Sequence, residues 1–261
     1  MNEAEKMTTQ TSETEPIPVL VSWSSGKDSA WALHTLRQQP ARYDVRGIFT
    51  TLTKTFNRVS IHSTPAWALK QQAEKLGAPL YEIPIPYPCS NAVYEAAMRK
   101  FFSEVEALPE HLGASHLAFG DLFLEDIRQY RIDQLKGTGF TPIFPIWGED
   151  TTLLAEKLIA SGMRAIVTAL NPAKLPADFA GRWFDAAFLA DLPAGVDPLG
   201  ENGEFHTCVV DGPMFSSPIA AKPGEVVQRR IVSKTDDNDK IHTRSSASPT
   251  YVYADVVPLD A

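Results

Sequence analysis

The chain has 261 residues, 44% of them apolar, with two cysteines and a formal net charge of −8. That length suits one large domain or two small ones around a packed core, and no apolar run approaches the ~20 residues of a membrane span. The acidic balance argues against extended nucleic-acid binding, which neutralises phosphates with basic patches. Two isolated cysteines form neither a disulfide framework nor a zinc site, which points to the cytoplasm.

The opening, from Met1 to Pro18, is polar and lacks the basic and apolar stretches of a signal peptide. Residues 1–16 are therefore expected to be a disordered leader. An apolar strand follows over Val19 to Trp23, then a helix from about Asp28 to Gln39 that stops at Pro40. Asp44 to Leu52 reads as the second strand. A helix starts near Pro65, carries Ala66, Leu69, Ala73 and Leu76 on one face, and ends at Gly77. Pro79 to Ile83 is the third strand, Asn91 to Ala107 a helix, and His116 to Phe119 the fourth strand. Helices follow over about Leu124 to Lys136 and Thr151 to Ser161, and Arg164 to Leu170 is the fifth strand. Beyond Asn171 the elements shorten, with a weak strand over Glu204 to Asp211. The tail from Ser233 holds a β-prone patch near Tyr251 to Val257, either a terminal strand or largely disordered.

Strands separated by helices imply βαβ crossovers and a mostly parallel sheet. Ligands bind such sheets beyond the carboxyl ends of the strands. Ser24 to Ser29, Thr50 to Lys54 and Gly120-Asp121 are all expected at such ends, converging on one edge.

The segment Ser24-Ser25-Gly26-Lys27-Asp28-Ser29 is the strongest chemical signal. It joins the first strand to a helix start, where unpaired backbone N–H groups and the helix dipole favour an anion. Lys27 and the hydroxyls strengthen that preference, so the turn reads as a pyrophosphate cradle and an ATP site. It is not a Walker A loop, because no glycine stands five residues before Gly26 and Lys27 is followed by Asp28. A second segment, Glu201-Asn202-Gly203-Glu204-Phe205-His206-Thr207, packs two carboxylates, an amide, an imidazole and a hydroxyl together. By itself it reads equally as a polar hairpin loop around Asn202-Gly203.

Together these segments resemble the diphthine–ammonia ligase branch of the PP-loop ATP pyrophosphatases. The first is similar to the family's SGGKDS loop, with Ser25 at a glycine position, and the second to its GENGE(Y/F)HT motif. His62 with Leu69, Gln72-Ala73-Glu74, Leu76-Gly77 and Pro79-Leu80 resembles another family segment. So do Phe119-Gly120-Asp121 with Arg128 and Arg131, Phe144-Pro145-Ile146-Trp147, Leu175 with Gly181-Arg182, and Asp211 to Phe215. The likeness spans about residues 19 to 216. Leu199 stands where many relatives carry cysteine, and the spacing from Asp121 to the arginines is slightly longer than in the diphthamide enzymes.

The resemblance implies a Rossmann-like (HUP-type) α/β fold with helices on both faces of a parallel sheet and a smaller α+β C-terminal part. The expected divisions are an ATP-binding domain over 17–145, an acceptor-substrate domain over 146–232 and a tail over 233–261. It also implies a two-step reaction. An acceptor carboxylate attacks the α-phosphate of ATP, releasing pyrophosphate, and ammonia or another amine then displaces AMP to form an amide. On this likeness Ser24, Ser25, Gly26, Lys27, Asp28, Ser29, Thr50, His62, Gly120 and Asp121 would hold the nucleotide. Asp28 and Asp121 are candidate Mg²⁺ ligands, since magnesium takes a few carboxylates plus phosphate oxygens. Arg128 and Arg131, three apart on one helix face, would clamp a phosphate or the acceptor carboxylate with Asn202 and Thr207 nearby. The same arginines also read as a solvated face paired with Glu125. Glu201, Glu204 and His206 would orient the amine or take its proton, beside Lys27 and Asp28 as catalytic residues. A tRNA-modifying ATP pyrophosphatase and a non-catalytic adenine-nucleotide sensor are the alternatives, and the C-terminal part is the candidate surface for a homodimer.

Overall fold

A computed structural model describes residues 15–107, 113–230 and 250–260. The expected leader therefore lies almost wholly outside the described residues. The first strand, β1 (Ile17–Ser22), carries the fully buried Val19, Leu20 and Val21. It feeds helix α1 (Lys27–Arg37), whose Ala30, Ala32, Leu33 and Leu36 pack inward. Strand β2 (Tyr43–Thr53) pairs in parallel with β1 on one side and with β4 (Leu80–Ile85) on the other. The short β3 (Arg58–Val59) turns back antiparallel onto the end of β2. Helix α2 (Ala66–Leu76) ends on Gly77, whose φ of 60° makes the expected left-handed cap.

Helix α3 (Asn91–Ala107) leads to β5 (His116–Ala118), which pairs in parallel with β1. Helix α4 (Glu125–Leu135) then leads to β6 (Thr141–Ile143), parallel to β5. The parallel strands thus run β4-β2-β1-β5-β6, and the expected Rossmann-like α/β fold is borne out. The fifth parallel strand, however, is β6 and not the expected Arg164–Leu170. With three residues and a central proline, β6 carries too little pattern to be read, and it takes an edge position where proline is tolerated.

Arg164–Leu170 is β7 of a second, antiparallel sheet. Helix α5 (Thr151–Ala160) precedes it, its N-cap Asp150 accepting from the N–H groups of Thr152 and Leu153. After β7 come a 3₁₀ turn at Ala177–Phe179, helix α6 (Ala186–Asp191), β8 (Phe205–Asp211), β9 (Ala221–Arg230) and β10 (Thr250–Pro258). The order β8-β7-β10-β9 places the chain's last strand inside this sheet. Its β-prone patch is therefore a paired strand and not a loose end. One apolar cluster joins the two sheets, from Val21, Leu33 and Leu69 to Leu158, Phe188, Phe205 and Val252. Among the described residues, no helix is long and apolar enough to cross a membrane.

Val252 is 3% exposed, whereas Val226 on the neighbouring edge strand is 48% exposed. Val252→Ala is expected to cost about 2 kcal/mol of unfolding free energy and Val226→Ala no more than ~0.5 kcal/mol, as read by urea titration.

Candidate active site

The loop between β1 and α1 is wedged between the two sheets. Trp23 N–H donates to the Phe49 carbonyl of β2 at 2.7 Å. Val209 N–H of β8 donates to the Ser25 carbonyl at 2.9 Å, and Lys27 N–H donates to Thr207 Oγ1 of β8 at 3.1 Å. The N-terminus of α1, which has no cap from its own N-cap Gly26 side, is therefore capped by a hydroxyl 180 positions away. On the opposite side, a Cβ at Gly120 would lie 2.9 Å from the Asp28 carbonyl oxygen and 2.9 Å from Ser29 N. Only glycine lets the end of β5 approach the loop this closely, and Asp121 follows it in the chain.

The expectation of several unpaired N–H groups in the loop needs correction. Ser24 N–H donates to Ser29 Oγ at 3.2 Å, Gly26 N–H to Ser24 Oγ at 3.3 Å, and Lys27 N–H is taken by Thr207. Buried donors find partners when they can, and in this loop the hydroxyls of Ser24, Ser29 and Thr207 supply them.

Ser25 sits at φ 69°, the left-handed region that disfavours a side chain. It is fully buried, and its Oγ has no hydrogen-bond partner among the described residues. Both features cost stability. Ser25→Gly is expected to stabilise the fold by about 1 kcal/mol, visible as a rise of roughly 2–4 °C in melting temperature.

Lys27 is 2% exposed, pairs with Asp28 Oδ2 at 2.9 Å and lies 5.3 Å from the centre of the Phe205 ring. Around Glu201 the fold gathers Lys27, Asp28, Asp121 and Asp197. Burial raises the Asp28 carboxyl above its usual range, Lys27 opposes the rise, and Asp197 adds to it. Glu201 is pushed up to about 9 by burial and then by Asp28, with Lys27 opposing and Asp121 and Asp197 adding to the rise. Like charges crowded around a single lysine keep at least one carboxyl protonated. Asp197 was not singled out from the sequence. It organises the turn by accepting from Thr151 Oγ1 at 2.8 Å and from the N–H groups of Leu199 and Glu201.

His62 Nδ1 donates to the Thr207 carbonyl at 3.1 Å, and its ring lies 4.6 Å from that of His206. Because a Cβ at Gly26 would lie 2.7 Å from His62 Cε1, the imidazole rests on the loop itself. Burial lowers His62 to about 4 and His206 well below its usual value, with Lys27 contributing to both. Both rings are therefore neutral at pH 7. The segment carrying His62 is strained, with Asn57, Ile61 and Ser63 all at positive φ.

Arg131 forms an ion pair with Asp121 at 3.5 Å and stacks 5.0 Å from the Phe119 ring. Arg128 lies over the rings of Trp147 and Phe144 and pairs with Glu125 at 3.3 Å. The clamp and solvated-face readings thus share the same residue. Thr50 lies within β2 and not at a strand end, buried one step beyond the last pairing with β1. Glu204 is 3% exposed, accepts from Asp197 N–H at 3.3 Å and leaves its Oε2 without a partner among the described residues. Asn202 is exposed, its carbonyl bonded to the Lys174 amine. The loop, Asp121, Glu201, the histidine pair, Thr207 and Arg131 are thus brought together, whereas Asn202 faces solvent and Glu204 lies beneath the turn.

Among the described residues, no group of three or more His, Cys, Asp or Glu side chains would hold a metal ion by itself. The expected pair is a smaller donor set. Asp28 Oδ1 is buried without a hydrogen-bond partner among the described residues, and Asp121 Oδ2 is buried with Arg131 Nε 3.5 Å away. Two such hard oxygens fit a magnesium ion that takes its other ligands from water and phosphate.

Residues 150–235 match the family model described as the diphthamide synthase C-terminal domain. Over this segment the chain has the family likeness its motifs pointed to. The segment includes β8 and the Glu201 turn, the elements that cover the loop after β1. No curated protein matches the chain.

The pH dependence of stability follows from Glu201. The folded chain keeps this proton up to about 9 and the unfolded chain releases it near 4.5, so the residue destabilises the fold increasingly as pH rises through that window. The two histidines act in the opposite sense, costing stability as pH falls below 6.5, His62 down to about 4. Glu201→Gln is expected to raise stability at pH 8 by about 1–2 kcal/mol relative to the unchanged protein, with the gain vanishing towards pH 4.5. Denaturant titrations at the two pH values check it.

Proposed function

We propose that the chain is an ATP-dependent amide-forming ligase of the diphthine–ammonia ligase type. The observation that carries this reading is the junction itself. A buried lysine in an SSGKDS loop at the end of a central parallel strand is covered by β8, within the segment similar to the diphthamide synthase domain. The parallel sheet supplies the nucleotide side of the site and the second sheet the acceptor side.

In this reading the loop and Lys27 hold the terminal phosphates of ATP. The acceptor carboxylate attacks the α-phosphate, the bond to the β-phosphate breaks, and pyrophosphate leaves with both bonding electrons. The Lys27 side chain stabilises the charge that builds on that group. Asp28 and Asp121 would hold the magnesium ion, which supplies charge neutralisation on the phosphates. Before ATP arrives Lys27 is paired with Asp28, so the lysine is kept oriented until phosphate competes for it. The amine then attacks the acyl carbon, AMP leaves, and the amine loses a proton. His206, neutral and unprotonated, has a lone pair to take that proton. Arg131, held in place by Asp121, and Arg128, fixed between aromatic rings, favour an anionic acceptor.

The test uses α-labelled ATP with Mg²⁺, ammonium and a metabolite extract. The unchanged protein is expected to form AMP and pyrophosphate only when extract is present, and Lys27→Ala to lose activity by a factor of about 10²–10³. ADP and phosphate as products would overturn the mechanism. Tight ATP binding without turnover, even with protein-containing extract, would favour a nucleotide sensor. A salt-dependent response to tRNA would favour a tRNA-modifying enzyme.

A further inference from the structure

Gln72 stands on the apolar face of α2, between Leu69 and Ala73, and is fully buried. Its Oε1 accepts from Trp23 Nε1 at 2.9 Å, and its Nε2 donates to the Ser25 carbonyl at 3.1 Å and to the Val209 carbonyl at 2.7 Å. The amide orientation follows from the partners. Indole N–H can only donate and a carbonyl can only accept, so Oε1 must face Trp23 and Nε2 the two carbonyls. One side chain thus ties together the strand end before the loop, the loop itself, and β8 of the second sheet.

We infer that Gln72 is the positioning residue of the phosphate loop, acting through the Ser25–Gly26 peptide. The Ser25 carbonyl receives two donors, Gln72 Nε2 and Val209 N–H, which fixes its direction. A trans peptide is planar, so its N–H points opposite to its C=O. Anchoring the Ser25 carbonyl towards α2 and β8 therefore turns the Gly26 N–H the other way, to the side of the loop where Ser24 Oγ accepts it at 3.3 Å. The same two bonds hold Ser25 at φ 69° against the preference of its side chain. Without Gln72 the strained peptide is free to flip, and a flip breaks the Gly26 N–H bond to Ser24 Oγ and turns a carbonyl oxygen, which repels phosphate, to that side of the loop. The inference rests on the reading of this loop as the holder of the ATP β- and γ-phosphates.

That reading makes the effect selective for ligands with those phosphates, which a purely structural role would not be. Binding of ATP and of AMP is measured by calorimetry for the unchanged protein, Gln72→Met and Gln72→Glu, each first shown to be folded by circular dichroism. Gln72→Met is expected to weaken ATP by at least about tenfold while AMP changes less than about twofold. Gln72→Glu keeps the acceptor for Trp23, and when protonated it keeps one donor. Its ATP affinity, relative to the unchanged protein, is expected to fall as pH rises from 6 to 8. ATP bound equally well by the folded variants, or ATP and AMP weakened alike, overturns the inference. So does failure of both variants to fold, which would make Gln72 a structural residue only. If the unchanged protein binds no ATP, the ATP reading itself fails, an outcome separate from failure at Gln72 alone.

Discussion

The arrangement depends on one buried seam, the hydrogen bonds between the loop after β1 and strand β8. Val209 N–H reaches the Ser25 carbonyl, and Thr207 Oγ1 takes the first amide of α1. These groups lie away from water, where an unmade hydrogen bond costs about 1–3 kcal/mol, so neither sheet can shift without stranding donors. The apolar cluster that spans both sheets adds a non-directional attraction. Hydrogen bonds fix the alignment and hydrophobic burial supplies the bulk of the adhesion.

The seam also sets the electrostatics. By covering the loop, β8 and the turn before it bring Glu201 and Asp197 towards Asp28 and Lys27. Burial raises the energy of every charged form, and the crowding of carboxylates around Lys27 adds to it. The resting site therefore holds a proton on Glu201 and neutral rings on His62 and His206. Under the proposed function, such a site would gain from a ligand that brings its own cations, as a magnesium-complexed triphosphate does.

Much of this was legible along the chain because the signals are local. The order strand, small-residue turn and helix at Val19 to Gln39 needs only neighbouring residues, and so does the glycine cap of α2. Strand β6 was not legible, because three residues around Pro142 carry no periodicity. Arg164–Leu170 was legible as a strand, but its apolar run suits the middle of either a parallel or an antiparallel sheet. Its partners, β8 and β10, lie far away in sequence. Gln72 left one trace, a glutamine on an otherwise apolar helix face, which marks a buried polar group without naming its partner. Asp197 stands four residues before Glu201, yet nothing local showed that it would hold that turn together.

The sequence by itself determined most of the helices, the longer strands, the glycine cap of α2 and the family likeness, because propensity, caps and motif spacing act over a few residues. Tertiary structure alone decided that the loop's amides are paired with hydroxyls, that Ser25 takes a left-handed conformation, that Gln72 clamps the loop, and that the last strand lies inside the second sheet. The bonds that Thr207, Val209 and Gln72 make to the loop join groups far apart in the chain. Their energies come from burial and from hydrogen bonds made away from water, and neither exists until the sheets have met.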